Sequence, residues 1–138
     1  MLALLGLKDS YEHDGRVLVG QLEAWSVPQS LRAHRHTLER LGDVYKQLNA
    51  PFGQFGMDTL TMSTKAVKSG TASNDSTYTA LSASIGSFTD RRDALAARMK
   101  SVLDAAAFKS QPIQELEAAI LIFEAEILLD LLQRGAQH

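Results

Sequence analysis

The sequence predicts an all-α fold: a helical bundle of about four helices that closes with a long antiparallel C-terminal helical hairpin and opens with a short irregular N-terminal segment. Three observations predict it. Apolar residues recur at alternating spacings of three and four over most of the chain, the mark of helices with one buried face. Polar or proline-containing breaks separate these runs at Asn49–Pro51, Ser69–Thr77 and Phe108–Pro112. Finally, 138 residues with 45% hydrophobic content are enough for one domain core.

The chain starts with an apolar run, Met1 to Leu7, and passes into "GLKDSYEHDGRVL", where three acids and a histidine crowd together between two glycines. That run lacks a positively charged start and a small-residue cleavage site, so it does not read as a signal peptide. "VLVGQLEAW", Val17 to Trp25, is too short for periodicity to tell a strand end from a helical turn. Ser26 then caps a helix with Pro28 in its first turn, and Leu31, His34, Leu38, Leu41, Tyr45 and Leu48 form one stripe. Asn49 and Pro51 end it.

"APFGQFG" reads as a structured turn whose two phenylalanine rings dock on the bundle. A shorter helix follows, with Met57, Leu60, Thr64 and Val67 expected inward and Gly70 as its terminator. The small polar stretch Ser69–Thr77 is the expected exposed connection. From a cap at Asp75 or Ser76, the stripe Tyr78, Leu81, Ile85, Phe88, Arg92, Leu95, Met99, Val102 and Ala106 runs for about four heptads, interrupted only by the charge at Arg92. After "FKSQP", Ile113, Leu116, Ile120, Phe123, Ile127 and Leu131 repeat the spacing and supply the second arm of the hairpin.

Charge and composition exclude several classes of function. The net charge of −2 gives no basic field for a phosphate backbone, so no nucleic-acid partner is expected. The absence of cysteine removes disulfides, thiolate catalysis and cysteine metal sites. The richest apolar run, Ala118 to Phe123, lies between two glutamates and is far shorter than the roughly 20 residues that span a bilayer, so no membrane partner is expected.

The histidines are His13, His34, His36 and His138. His34 and His36, two apart on a helix, point away from each other and cannot share a metal alone; His34 is expected on the inner stripe and His36 in solvent. Among the carboxylates, Glu117/Glu124 and Glu126/Asp130 nearly share a helical face while Glu115/Glu117 and Glu124/Asp130 do not, and no Glu-x-x-His occurs to build a di-metal site. Arg91, Arg92, Asp93, Arg98 and Lys100 read as a solvated face with local ion pairs. The hydroxyls of "TLTMSTK" sit on a helix, where back-bonding or solvent is their ordinary fate. No nucleophile motif or phosphate-binding glycine loop is present, so no catalytic, cofactor-binding or metal residue is assigned.

One resemblance comes from the first eighteen residues. "MLALLGLKDSYEHDGRVL" resembles a join in the alkaline phosphatase superfamily of metallo-hydrolases, where a leucine-rich helix ending in Gly-Leu leads to a D-G-R-x-L turn. Leu2, Leu4, Leu5, Gly6 and Leu7 match the helix; Asp14, Gly15, Arg16 and Leu18 match the turn. "LGDVYKQLNAPFGQFGMDTL" and "RRDALAARMKSVLDAAAF" are similar to helical C-terminal extensions of bacterial members of that family. The resemblance implies that residues 1–25 are the remnant of a catalytic-domain end and 26–138 a helical bundle module, non-catalytic itself, from a phosphoric- or sulfuric-ester hydrolase. The family's nucleophile and zinc ligands would lie upstream, and none maps onto this chain. The competing expectation is an independent helical interaction or oligomerisation protein. The expected partners are accordingly a catalytic domain or a second copy.

Overall fold

A computed structural model describes residues 23–27, 29–69 and 75–137. A short 3-10 turn, Ala24–Ser26, is followed by α1 (Gln29–Arg32), α2 (Arg35–Asn49), α3 (Gln54–Ser69), α4 (Asp75–Phe108) and α5 (Glu115–Gln137), with no strand among the described residues. The all-α expectation holds, and so does the final helical hairpin.

The helix expected from Ser26 to Leu48 is broken once. α1 is a single turn, and α2 restarts after His34, whose φ of −117° and ψ of 27° leave the helical region without a side-chain cap. The break lets two clusters be served at once. Val27 and Leu31 turn onto Ala106, Ile113 and Ala118, while Leu41 and Leu48 enter the main core. Arg32 holds the turn by donating from Nε to the Val27 carbonyl at 2.8 Å and from Nη2 to the Trp25 carbonyl at 3.1 Å.

Between α2 and α3 the chain bends without reversing. Ala50, which precedes Pro51, is extended at φ −67° and ψ 141°, as the proline ring requires of its neighbour. Helical bonding resumes within a turn: Gly53 N–H donates to the Ala50 carbonyl at 2.8 Å and Met57 N–H to the Gly53 carbonyl at 3.1 Å. The bend packs backbone on backbone. A Cβ on Gly53 would lie 2.7 Å from the Gln47 carbonyl oxygen and 2.8 Å from that of Lys46. Gly53→Ala should therefore destabilise the chain by about 1–3 kcal/mol, the ordinary range for overpacking, and lower the thermal midpoint by several degrees. Gly42→Ala, with nothing within 4 Å of the added carbon, is the matched control, and equal midpoints would refute the close approach.

Cross-helix contacts fix the directions. His34 meets Glu115 and Met62 lies beside Gly135, so α2 and α3 form one bent rod running with α5. Arg92 lies over Phe55 and Arg98 bonds Glu124, so α4 runs against both. Among the described residues the bundle is thus up, down, up: four long helices by segment, three rods by direction. Residues 109–114 join α4 to α5, with Ser110 at φ 55° and Gln111 N–H donating to the Ala105 carbonyl at 3.2 Å.

α4, at about 51 Å, is roughly 16 Å longer than α5. With the contacts above, α5 ends near the level of Ile85, and among the described residues the first turns of α4 have only α3 beside them. Tyr78 is exposed there, and Leu81 and Ile85 are half-buried.

The main core joins Leu41 and Leu48 of α2, Phe55 and Met62 of α3, Leu95 and Met99 of α4, and Leu121, Leu128 and Leu132 of α5. Two expected inward faces are turned the other way. On α3, Met57, Leu60, Thr64 and Val67 are exposed, while Phe55 and Met62 fill the interior. On α5, Ile113 just ahead of the helix is buried, but Leu116, Ile120, Phe123, Ile127 and Leu131 face outward. The buried set is Ala118, Leu121, Ile122, Ala125, Leu128, Leu129, Leu132 and Ala136.

The physical reason is that both helices carry two apolar stripes. On α5 the buried one is unbroken to Ala136, and its alanines let the helix axes approach; the other runs into Asp130 and Arg134 at its end. On α3 the buried stripe offers the larger ring. Only one of the two phenylalanines around the bend docks: Phe55 is buried and Phe52 is almost fully exposed. The readings placed on residues 1–22, including His13 and the D-G-R turn, lie outside the described residues, as do Gly70 and His138.

Candidate interaction surface

Helical geometry puts the outer stripe of α5 on roughly the opposite side from its core stripe, since successive residues rotate by about 100°. Leu116 is 76% exposed and Phe123 is 63% exposed, with Ile120, Ile127 and Leu131 between about two-fifths and one-half exposed. A surface helix ordinarily keeps its apolar residues to one side and charge to the other. α5 instead is apolar on both.

Carboxylates edge this stripe, and most are neutralised within the chain. Arg98 of α4 donates to Glu124 at 2.8 Å, Arg40 of α2 to Glu126 at 3.0 Å, and Arg134 sits 2.7 Å from Asp130 one turn earlier. These pairs are exposed and add little stability each. Their effect on the surface is larger than their energy, because they leave an apolar strip bordered by neutral pairs. Glu117 has no hydrogen-bond or ion-pair partner among the described residues.

At the start of α5 a small polar cluster anchors the helix to α2. Glu115 accepts a 2.5 Å hydrogen bond from Thr37 Oγ1 at Oε2, and its Oε1 lies 2.5 Å from His34 Nδ1. The Thr37 bond, then the His34 bond, holds the Glu115 carboxyl below its ordinary value of 4.5. Its contribution to stability is therefore fully present above that value and is lost as pH falls through the lower folded value. Thr37→Val should raise the Glu115 pKa, read from the carboxyl carbon shift in an NMR titration, and an unchanged titration would refute the assignment.

The remaining candidates separate. His34 is half-buried on the Glu115 cluster, and His36 is exposed. No group of three or more His, Cys, Asp or Glu among the described residues is placed to hold a metal ion. Of the predicted charged face, Arg98 reaches across to α5 rather than pairing locally, and Lys100 lies 3.9 Å from Asp104. Arg92 places its guanidinium 5.1 Å from the Phe55 ring centroid, with Nε 2.7 Å from Asp93 Oδ1. The α3 hydroxyls bond back along the helix: Thr59 to Phe55, Thr61 to Met57, Ser63 to Thr59 and Thr64 to Leu60 carbonyls.

No described helix is long and apolar enough to cross a membrane. No family model, curated protein or solved structure matches this chain.

Sequence reasoning found the residues of the outer stripe but assigned them to the core. The signal that separates the two stripes is present in the sequence: only one of them contains alanines at positions 118 and 125, the helical spacing of a close axial contact.

Proposed function

We propose that this chain is a non-catalytic helical interaction module whose docking surface is the outer face of α5. One observation carries the reading: five large apolar side chains from Leu116 to Leu131 stand on the side of α5 away from the core. Burying such a face against another body gives the helix the environment its composition calls for.

The test is whether the stripe contributes to the folding of the chain alone. With Leu116→Gln and Phe123→Gln combined, the thermal midpoint of a dilute, micromolar sample should stay within a few degrees of the parent's, as surface changes do. A large fall would assign the stripe to the core and end the reading.

The resemblance of residues 1–18 to the alkaline phosphatase join supports a narrower version, in which the module serves a phosphate- or sulfate-ester hydrolase. For that version the chain itself should be inert. Zinc-loaded samples assayed on a chromogenic phosphomonoester and a phosphodiester are expected to give no turnover, and chelator-sensitive turnover would overturn it.

A further inference from the structure

We infer that the occupant of the α5 face is a second copy of this chain, docked α5 against α5 in antiparallel orientation about a twofold axis near Phe123. The inference rests on the docking role proposed above and names what fills it.

Area, charge and symmetry each point to this occupant. The five side chains together leave roughly 500 Å² exposed, near the upper end of the largest patch on an ordinary monomer. Doubled across a twofold axis, this gives about 1,000 Å² before flanking stems are added, the lower bound of a specific interface. An association of modest strength is expected.

A strongly basic partner would need free carboxylates to meet, and Glu124, Glu126 and Asp130 are already answered by Arg98, Arg40 and Arg134. The same neutralisation removes the repulsion that two acidic helices would otherwise feel. The stripe also matches itself when reversed. Its steps are four, three, four and four residues, so turning one helix end for end about the middle sets Leu116 near Leu131 and Ile120 near Ile127 of the other copy, with the two Phe123 rings flanking the axis.

Charge then chooses the direction. Arg134 is the only cation of α5 and stands in line with the stripe at its C-terminal end, while Glu117 stands beside the stripe at the N-terminal end. In that register antiparallel pairing sets Glu117 of each copy level with Asp130 of the other, beside its Asp130–Arg134 ion pair and about one helical turn from Arg134, twice by symmetry; parallel pairing opposes Glu117 to Glu117 and Arg134 to Arg134. Antiparallel helix dipoles add in the same sense.

The outer face of α3 is a poorer candidate. Its apolar positions Met57, Leu60 and Val67 are interrupted by Thr64 and flanked by Thr61 and Ser63.

The experiment is sedimentation equilibrium on the full chain from about 1 to 100 µM, the range in which a small interface forms. A monomer–dimer equilibrium is expected, abolished by Phe123→Gln and unaffected by Leu60→Gln. For direction, the cysteine-free chain allows single thiols: Glu117→Cys mixed with Arg134→Cys should cross-link through a short bis-maleimide to a mixed dimer. A monomer throughout the range, a dimer indifferent to Phe123→Gln, or Glu117→Cys cross-linking chiefly to itself would overturn the inference. Such results leave the docking role standing, since that role fails only if the dilute double variant melts early.

Discussion

Leu128→Ala should lower the unfolding free energy by about 3 kcal/mol, within the range for emptying a large buried aliphatic site, while Ile127→Ala costs about 1 kcal/mol or less in a dilute sample. The two residues are adjacent, similar in size and both on α5, yet Leu128 is 0% exposed and Ile127 is 39% exposed. Leu128 packs in the core shared by α2, α3 and α4, so its loss leaves a cavity that three other helices would have to close. Ile127 lies outside both core clusters and is partly open to solvent, so its truncation leaves no enclosed cavity. Urea unfolding of the two variants at micromolar concentration decides the matter through the shift of midpoint at constant slope. Equal costs, or a greater cost at Ile127, would mean that α5 is rotated by half a turn from the arrangement described above.

Phe55→Ala is expected to cost about 3–5 kcal/mol, the largest effect of any single truncation around the bend. Phe55 is the first large side chain after Pro51 and Gly53, and its burial is what turns the second half of the rod onto α4. The ring also carries Arg92, whose guanidinium gains on the order of 0.5–1 kcal/mol from such a contact. Phe55→Leu keeps most of the buried volume and loses the ring face, so it should retain well over half of the stability that Phe55→Ala forfeits. Arg92→Met in the Phe55→Leu background should then cost less than in the parent, a coupling readable by a double-mutant cycle. A Phe55→Ala variant that melts like Phe52→Ala, with its exposed ring, would refute this role.

These two cases mark where the sequence was legible. Spacings of three and four identify every long described helix, and from Leu81 to Ala106 the α4 stripe faces the core as expected, because that helix has no second apolar face to compete with it, whereas Tyr78 at its start is exposed. Leu95, Met99 and Ala106 are buried, and Arg92 closes its gap in the stripe by lying over Phe55. Periodicity failed on α3 and α5 because it reports that a stripe exists, without saying which of two stripes meets the interior. That choice depends on neighbours far along the chain. The break at His34 was hidden for a similar reason: the local pattern supports one helix, and only the need of Leu31 to reach Ile113 splits it. Likewise the His34–Thr37–Glu115 cluster joins residues about eighty positions apart, which no local motif could announce.

The unequal lengths of α4 and α5 make cohesion uneven along a single helix. From Leu95 to Ala106, α4 is enclosed by partners on both sides, and opening it requires unfolding the whole bundle. From Tyr78 to Ile85 it has one neighbour among the described residues, α3, from which a few turns can part while the rest of the core stays closed. One continuous rod therefore spans two regimes of opening, and its far end can yield to solvent, a protease or a pulling force without the domain being lost.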